Sequence, residues 1–490
     1  MNSGKELLKL GGINMEIKNK IIENLDKVIK DFMDNETIPG LAVGVVYNNE
    51  VIYTKGFGIK NVETKDPVTE KSLFHMASVS KTFVATGIMQ LVQKRKINLD
   101  APLVDYLPYF KLQDERYKEI TIRQLLNHIS GMPDEPDYEW DKPQYDEGAL
   151  ERYVTAQKDK ILMWNPGEKF AYSNIAFEIL GDVIAKASGV SFEEYMKKNI
   201  LDVLDMKDSD FNKPLVSKEL ITTPHVLGIK GGFGPKVSEI YPYNRCHGPS
   251  STLCSNVVEM CNYAIANMNY GEFYGKRILE KESYLELWRE QAVTGWEGHT
   301  TKVGLSWFLG EHKGHKVKSH SGGDTGYLSN LILFPDSNSA LVVMSNSDYM
   351  SMNSLTTTLM DVVIGLEPER VKTSFPQHIA KILIEKGYEA ALKEYCKIKE
   401  KVIEKYFINE RGFNSIAYGL LAAKAIKEAI EILEIGIIEF PEASNLYDSL
   451  GEMYLVYGNK KKALENYKKS VELNPNNLSG KKTIEELEGK

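Results

Sequence analysis

Two kinds of apolar spacing divide the chain. Near the N-terminus, Leu41-Ala-Val-Gly-Val-Val-Tyr47 and Val51-Ile-Tyr53 flank Asn48-Asn49, a pair that tolerates positive φ, so the pattern predicts a β-hairpin. Apolar runs return at Val303 to Leu309, Leu328 to Phe334 and Leu341 to Ser345, separated by turns rich in Gly, Pro and Asp, and read as further antiparallel strands. Between these groups, from about Ser78 to Met268, the three-to-four-residue spacing of helices dominates. Strands, a long helical insert, strands again and a closing helix predict an α+β domain over residues 15–370, with residues 1–14 as an extension ahead of it.

From about Gln377 the composition turns to Ala, Glu, Lys, Ile and Leu with helical spacing, which sets a boundary before an all-α region, residues 371–490. Ala429 and Pro441 recur as Ala463 and Pro475, an offset of 34 in both cases. The second copy, with Tyr447, Leu450, Gly451, Tyr454, Ala463, Tyr467 and Pro475, resembles the tetratricopeptide pattern; Phe413, Ile416, Ala417, Leu420, Ala429, Leu433 and Pro441 form a looser first copy. The repeats span about 410–443 and 444–477. A stack needs about three repeats to bury a continuous core, so this pair is expected to dock on the preceding domain or on a protein partner.

With 490 residues and 42% hydrophobic content the chain can bury an extensive core, which excludes a disordered or fibrous protein. Its 60 Lys plus Arg against 68 Asp plus Glu leave a net −8, concentrated before residue 380, and no basic run could track a phosphate backbone. Nucleic acid is not an expected partner. The opening stretch carries Lys5, Glu6, Lys9 and Glu16 and lacks a continuous apolar segment, and no later run reaches the roughly 20 residues that span a bilayer. A cytoplasmic protein with no membrane partner is expected, started at either Met1 or Met15. Cys246, Cys254, Cys261 and Cys396 make no C-x-x-C pair and suit thiols in a reducing compartment.

Candidate chemistry lies in three segments. In Ser78-Val-Ser80-Lys81, at the start of a helical pattern, residues three apart share a helix face, so the Lys81 ammonium can reach the Ser78 hydroxyl. A serine attacks only when its proton is removed, and a lysine can do that once burial lowers its pKa from about 10.4. Ser-x-x-Lys also occurs at Ser479–Lys482 in the polar tail, so the motif needs support. Tyr172-Ser-Asn174, on a turn after Pro166-Gly167, offers a phenol to carry protons and an amide to meet substrate. In His320-Ser-Gly322-Gly323 the glycines admit close backbone approach, and the Gly323 N–H with that of Ser78 could form an oxyanion hole, typically worth about 3–4 kcal/mol.

In this order the three segments resemble the signature motifs of the penicillin-binding-protein and class C β-lactamase-like serine hydrolases, over roughly residues 25 to 365. Leu125-Leu-Asn-His128-Ile-Ser-Gly131, Pro166-Gly167 and the early hairpin reinforce the likeness. The resemblance implies an antiparallel sheet flanked by helices with a helical subdomain, Ser78 as acylated nucleophile, Lys81 as its activator, Tyr172 as general base and acid, and Asn174, His320, Gly322 and Gly323 as substrate contacts. His128 is expected to be structural. Where these enzymes usually carry Lys-Thr-Gly this chain has His320-Ser-Gly322, and a histidine of ordinary pKa, about 6.5, is mostly neutral at pH 7. Weak turnover of β-lactams and a preference for esters or amides, as in esterases and D-amino-acid peptidases, follow from that departure.

No cofactor is implied, and the nine scattered histidines form no metalloprotease-type cluster. The expected function is a serine hydrolase acting through an acyl-enzyme on a small-molecule or peptide substrate. The alternative is a catalytically weak sensor or scaffold whose C-terminal repeats bind a protein partner.

Overall fold

The computed structural model describes residues 2–134, 137–296, 298–349 and 352–489, with side chains described from residue 15. Helix α1 (Asn2–Asn35) opens the chain, so the backbone of the expected extension continues into the domain; the side chains of 1–14 lie outside the described residues. Ile21, Leu25, Val28, Ile29 and Phe32 recur along one side of α1 and are buried against the sheet.

Among the described residues eight antiparallel strands form the central sheet: β1 (Gly40–Tyr47), β2 (Glu50–Gly58), β3 (Ala292–Val293), β4 (Lys302–Val303), β5 (Phe308–His312), β6 (His315–Asp324), β7 (Tyr327–Phe334) and β8 (Ser339–Ser345). Their spatial order is β2-β1-β8-β7-β6-β5-β4-β3. Asn48 and Asn49 turn the first hairpin with φ of 51° and 61°, as their residue type predicts. Strand β1 reads as an unbroken apolar run because both faces are covered: Leu41, Val43 and Val45 meet α1, while Ala42 and Val46 join the opposite core.

That opposite core is built by α2 (Ser80–Gln93), α3 (Asn174–Ser188), α4 (Val257–Met268) and the irregular chain between them. The expectation of mainly helical structure from Ser78 to Met268 needs correction, since single 3-10 turns, loops and a short hairpin, His225–Gly228 with Gly234–Val237, fill much of that span. A second correction falls at Val303 to Leu309. This run is two strands rather than one, because the chain bends between β4 and β5 with Ser306 at φ 71°.

Helix α5 (Asn353–Val363) closes the domain beside α1. Among the described residues seven helices follow: α6 (Phe375–Lys386), α7 (Tyr388–Lys401), α8 (Glu410–Ala422), α9 (Ile426–Glu439), α10 (Ser444–Val456), α11 (Lys460–Leu473) and α12 (Leu478–Glu488). The starts of α8 and α10, and of α9 and α11, are 34 residues apart, and Ala429 and Ala463 are fully buried at matching places. This tail packs on the first domain. One apolar core runs from the sheet through α1 and α5 to Phe375, Phe413 and Leu433, and Gly419 of α8 approaches Leu227 and Tyr349 so closely that a side chain there would touch both.

Among the described residues no helix is long and apolar enough to cross a membrane, and no group of three or more His, Cys, Asp or Glu side chains is placed to hold a metal ion. All four cysteines are free thiols; Cys246, Cys254 and Cys261 are buried and Cys396 is exposed.

Candidate active site

The chain enters the site along Phe74–His75, which pairs with Cys254–Ser255, and turns at Ala77, held in the left-handed region at φ 47°. That conformation costs an alanine about 1 kcal/mol and is retained where the surroundings impose it. The turn sets Ser78 in a 3-10 turn, Ala77–Val79, that runs into α2. Ser78 is partly open to solvent, whereas Lys81, one turn on, is fully buried.

Lys81 Nζ donates to Ser78 Oγ at 3.0 Å, to Asn174 Oδ1 at 2.6 Å and to the Ser250 carbonyl at 2.9 Å. Burial lowers its pKa to about 8, against the upward pull of Glu178, Asp134 and Asp324. At pH 7 about one molecule in ten then carries the free amine.

The second segment is fixed by caps. Ser173 N-caps α3, its Oγ accepting from the Ala176 N–H, and its own N–H donates to His128 Nδ1 at 3.1 Å. The His128 ring stacks on Tyr172 at 4.4 Å, and burial, then the nearby Lys81 ammonium, hold its pKa well below the ordinary value. His128 is therefore a neutral prop beneath Tyr172. The Tyr172 phenol lies within reach of Ser78; burial raises its pKa although the Ser78 contact lowers it, so it is protonated at neutral pH. Lys81 Nζ sits 5.1 Å from the Tyr172 ring centre. Asn174 is more committed than a free substrate contact would be: its Oδ1 accepts from Lys81, and its Nδ2 and backbone N–H donate to Asp134.

Strand β6 supplies the third wall. Its pairing with β5 ends at Phe308–Ser319, so beyond Ser319 it faces the cleft along one edge without a strand partner. A Cβ on Gly322 would stand 2.4 Å from the Met76 carbonyl oxygen and 2.9 Å from the Ser78 nitrogen, so only glycine lets this backbone lie against the Ser78 N–H. Gly323 follows on the exposed stretch of the same strand. His320 Nδ1 pairs with the Ser321 carbonyl at 2.7 Å, while its buried Nε2 has no partner among the described residues. Burial first, then the Lys81 charge, lowers its pKa to about 3, so the ring is neutral with Nε2 as an open acceptor.

Ser78, Lys81, Tyr172, Asn174, His320 and Gly322 thus converge on one cleft, with Gly323 next along β6. Several groups that sequence reasoning missed join them. Glu178, fully buried on α3, accepts from Ser250 and pairs with His247 Nδ1 at 3.0 Å, which fixes the Ser250 carbonyl that Lys81 uses. His75 Nε2 meets Asp324 Oδ2 at 2.7 Å and ties the entry strand to the end of β6. Burial opposes charge on His75, but Asp324 and Cys254 outweigh it and raise the pKa to about 9. Phe308 and Trp296 wall the cleft, with ring centres 6.4 and 6.2 Å from that of Tyr172. A charged residue in an apolar helical pattern, as at Glu178, was the one signal available beforehand.

Residues 25–363 match the family model described as Beta-lactamase. Protein flp of Staphylococcus aureus strain MW2 is 27% identical over 331 residues, 67% of this chain and 64% of its own. Beta-lactamase-like protein 2 of Dictyostelium discoideum is 28% identical over 256 residues, 51% of this chain and 46% of its own. The chain thus spans just under two thirds of the first relative. Among solved structures, the octameric penicillin-binding protein homologue from Pyrococcus abyssi superimposes with a TM-score of 0.64 at 26% identity, covering 74% of this chain and 81% of that one. D-amino acid amidase from Ochrobactrum anthropi SV3 shares the fold, with a TM-score of 0.58 at 21% identity over 71% of this chain and 99% of its own.

Proposed function

The chain belongs to the beta-lactamase family, and from that membership and the cleft geometry we propose that it is a serine hydrolase cleaving an ester or amide through an acyl-enzyme at Ser78. The observation that carries this reading is the 3.0 Å contact between the Ser78 hydroxyl and a buried lysine whose pKa lies near 8. In the neutral form of Lys81, Nζ accepts the Ser78 proton as Oγ bonds to the substrate carbonyl carbon. The resulting oxyanion accepts from the Ser78 and Gly323 backbone N–H groups. As the tetrahedral species collapses, the Tyr172 phenol gives its proton to the departing oxygen or nitrogen and regains one from the Lys81 ammonium. Water, deprotonated by the same pair, then releases the acid.

The neutral His320 favours substrates without a carboxylate beside the scissile bond, and therefore simple esters and D-aminoacyl amides over β-lactams. A panel of activated esters, D- and L-aminoacyl amides and a chromogenic cephalosporin separates these classes. Turnover of esters or D-amides that vanishes in Ser78→Ala is the expected result; a cephalosporin as the best substrate would overturn the preference. Absence of turnover on the whole panel would favour the sensor or scaffold reading.

A further inference from the structure

A groove of about 720 Å³ lies between the first domain and the helical tail. On one side are the outward residues of β6, Ser319 and Ser321, whose strand neighbours His320 and Gly322 face the cleft. On the other is the turn into α8, with Arg411 and Asn414. The two sites share Trp296 and Phe308, the rings that flank Tyr172.

Three groups in the groove lack partners among the described residues. Thr356, 5% exposed, has a buried Oγ1 with none, and so does the buried Oδ1 of Asn414. A buried polar atom left unpaired costs about 1–3 kcal/mol, so each is a place where a ligand amide or hydroxyl would be repaid. Arg411 is exposed and makes no hydrogen bond or ion pair with a described residue, while Glu410 beside it has interactions of its own.

The direction of the substrate follows from the Proposed function, on which this inference rests. Tyr172 protonates the leaving group, so that group lies beside Tyr172 and the Trp296–Phe308 wall, the end of the cleft that borders the groove. We propose that the groove is the subsite for the leaving-group arm of a peptide-like substrate, with Thr356 and Asn414 hydrogen-bonding its amides and Arg411 receiving a carboxylate at its far end. The helical tail is then part of the substrate site, and the charge it reads is remote from the scissile bond.

The test uses D-phenylalanyl peptides, D-Phe-(Gly)n with n from one to four, each as free carboxylate and as carboxamide, with D-phenylalanine amide as the armless reference. On the full chain, the kcat/KM ratio of carboxylate over carboxamide is expected to rise about fivefold at one arm length, as for a partly exposed charge pair, and to return to unity in Arg411→Gln. A ratio flat at every length, or a rise that survives in Arg411→Gln, overturns the proposal even if D-phenylalanine amide is cleaved by wild type and not by Ser78→Ala. Should no member be cleaved, equilibrium binding of D-Phe-(Gly)3 to the wild-type chain decides: tighter binding of the carboxylate, lost in Arg411→Gln, supports the groove, and equal affinities overturn it.

Discussion

Around Ser78 the interior holds an ammonium, three imidazoles and a carboxylate, from Lys81, His75, His128, His320 and Glu178, whereas the interior of α8 to α11 is filled mainly by Phe413, Ile416, Leu420, Leu433, Leu446 and Met453. In the tail the ion pairs, such as Lys399–Glu439 and Lys427–Glu431, stay at the surface. Burying charge costs stability unless it is paired, and a fold keeps it where chemistry needs it. The two regions should therefore fail differently: changes in the cleft should remove rate and spare the fold, and changes in the tail core should do the reverse.

Replacing Lys81 by methionine gives the largest expected effect. Turnover on the best small substrate should fall by about 10³-fold or more, while the melting temperature stays within a few degrees because a buried charge has gone. Steady-state kinetics and a thermal melt on the same sample check both halves. In the tail, Leu433→Ala removes a fully buried side chain and should cost about 2–5 kcal/mol by denaturant unfolding. Its turnover of D-phenylalanine amide, measured well below the melt, should match wild type; a matching loss of rate would mean that the regions are not separable.

Titration sharpens the contrast. Since Lys81 must be neutral to accept the Ser78 proton, kcat/KM should rise with pH through about 8. Glu178 holds the Lys81 pKa up, so Glu178→Gln should move that rise to lower pH, and a shift to higher pH would contradict the electrostatic account. His75 acts on stability in the opposite sense. Its folded pKa, near 9, lies above the ordinary 6.5, so its contribution is complete below about pH 6.5 and is lost as pH rises through 9. Unfolding free energies across that window should decline, and the decline should flatten in Asp324→Asn. Smallest of all, Lys427→Gln breaks an i,i+4 pair whose lysine is exposed and whose glutamate is half-buried, and should cost only about 0.3–0.5 kcal/mol.

The same contrast governs what could be read from the residues in advance. The tail helices and the β1–β2 hairpin were legible because apolar spacing reports burial on a known face. Strand β6 was not, because His-Lys-Val-Lys-Ser-His-Ser-Gly-Gly-Asp alternates weakly and is polar for the reason that makes it useful: one edge faces a cleft. That Ser78, Lys81 and Tyr172 would meet was legible through motif spacing, which carries reach along a helix or loop. Asp134 and Trp296 enter the site from stretches outside the three motifs, and no local spacing encodes that meeting, whereas Glu178 and Asp324 stand four residues beyond Asn174 and His320 on the same helix and strand and went unread because their partners, Ser250 and His75, come from elsewhere in the chain. The Ser306 bend went unread although Gly304 stands two residues before it, because the apolar residues on either side continue the strand pattern.

The account stands on Ser78 being the one activated hydroxyl. Treating the wild-type chain with a fluorophosphonate and measuring its intact mass should show a single adduct, mapped by digestion to the peptide bearing Ser78, with loss of turnover in step with labelling and no adduct on Ser78→Ala. An unlabelled wild type that still turns over substrate, or an adduct that persists in Ser78→Ala, would contradict it.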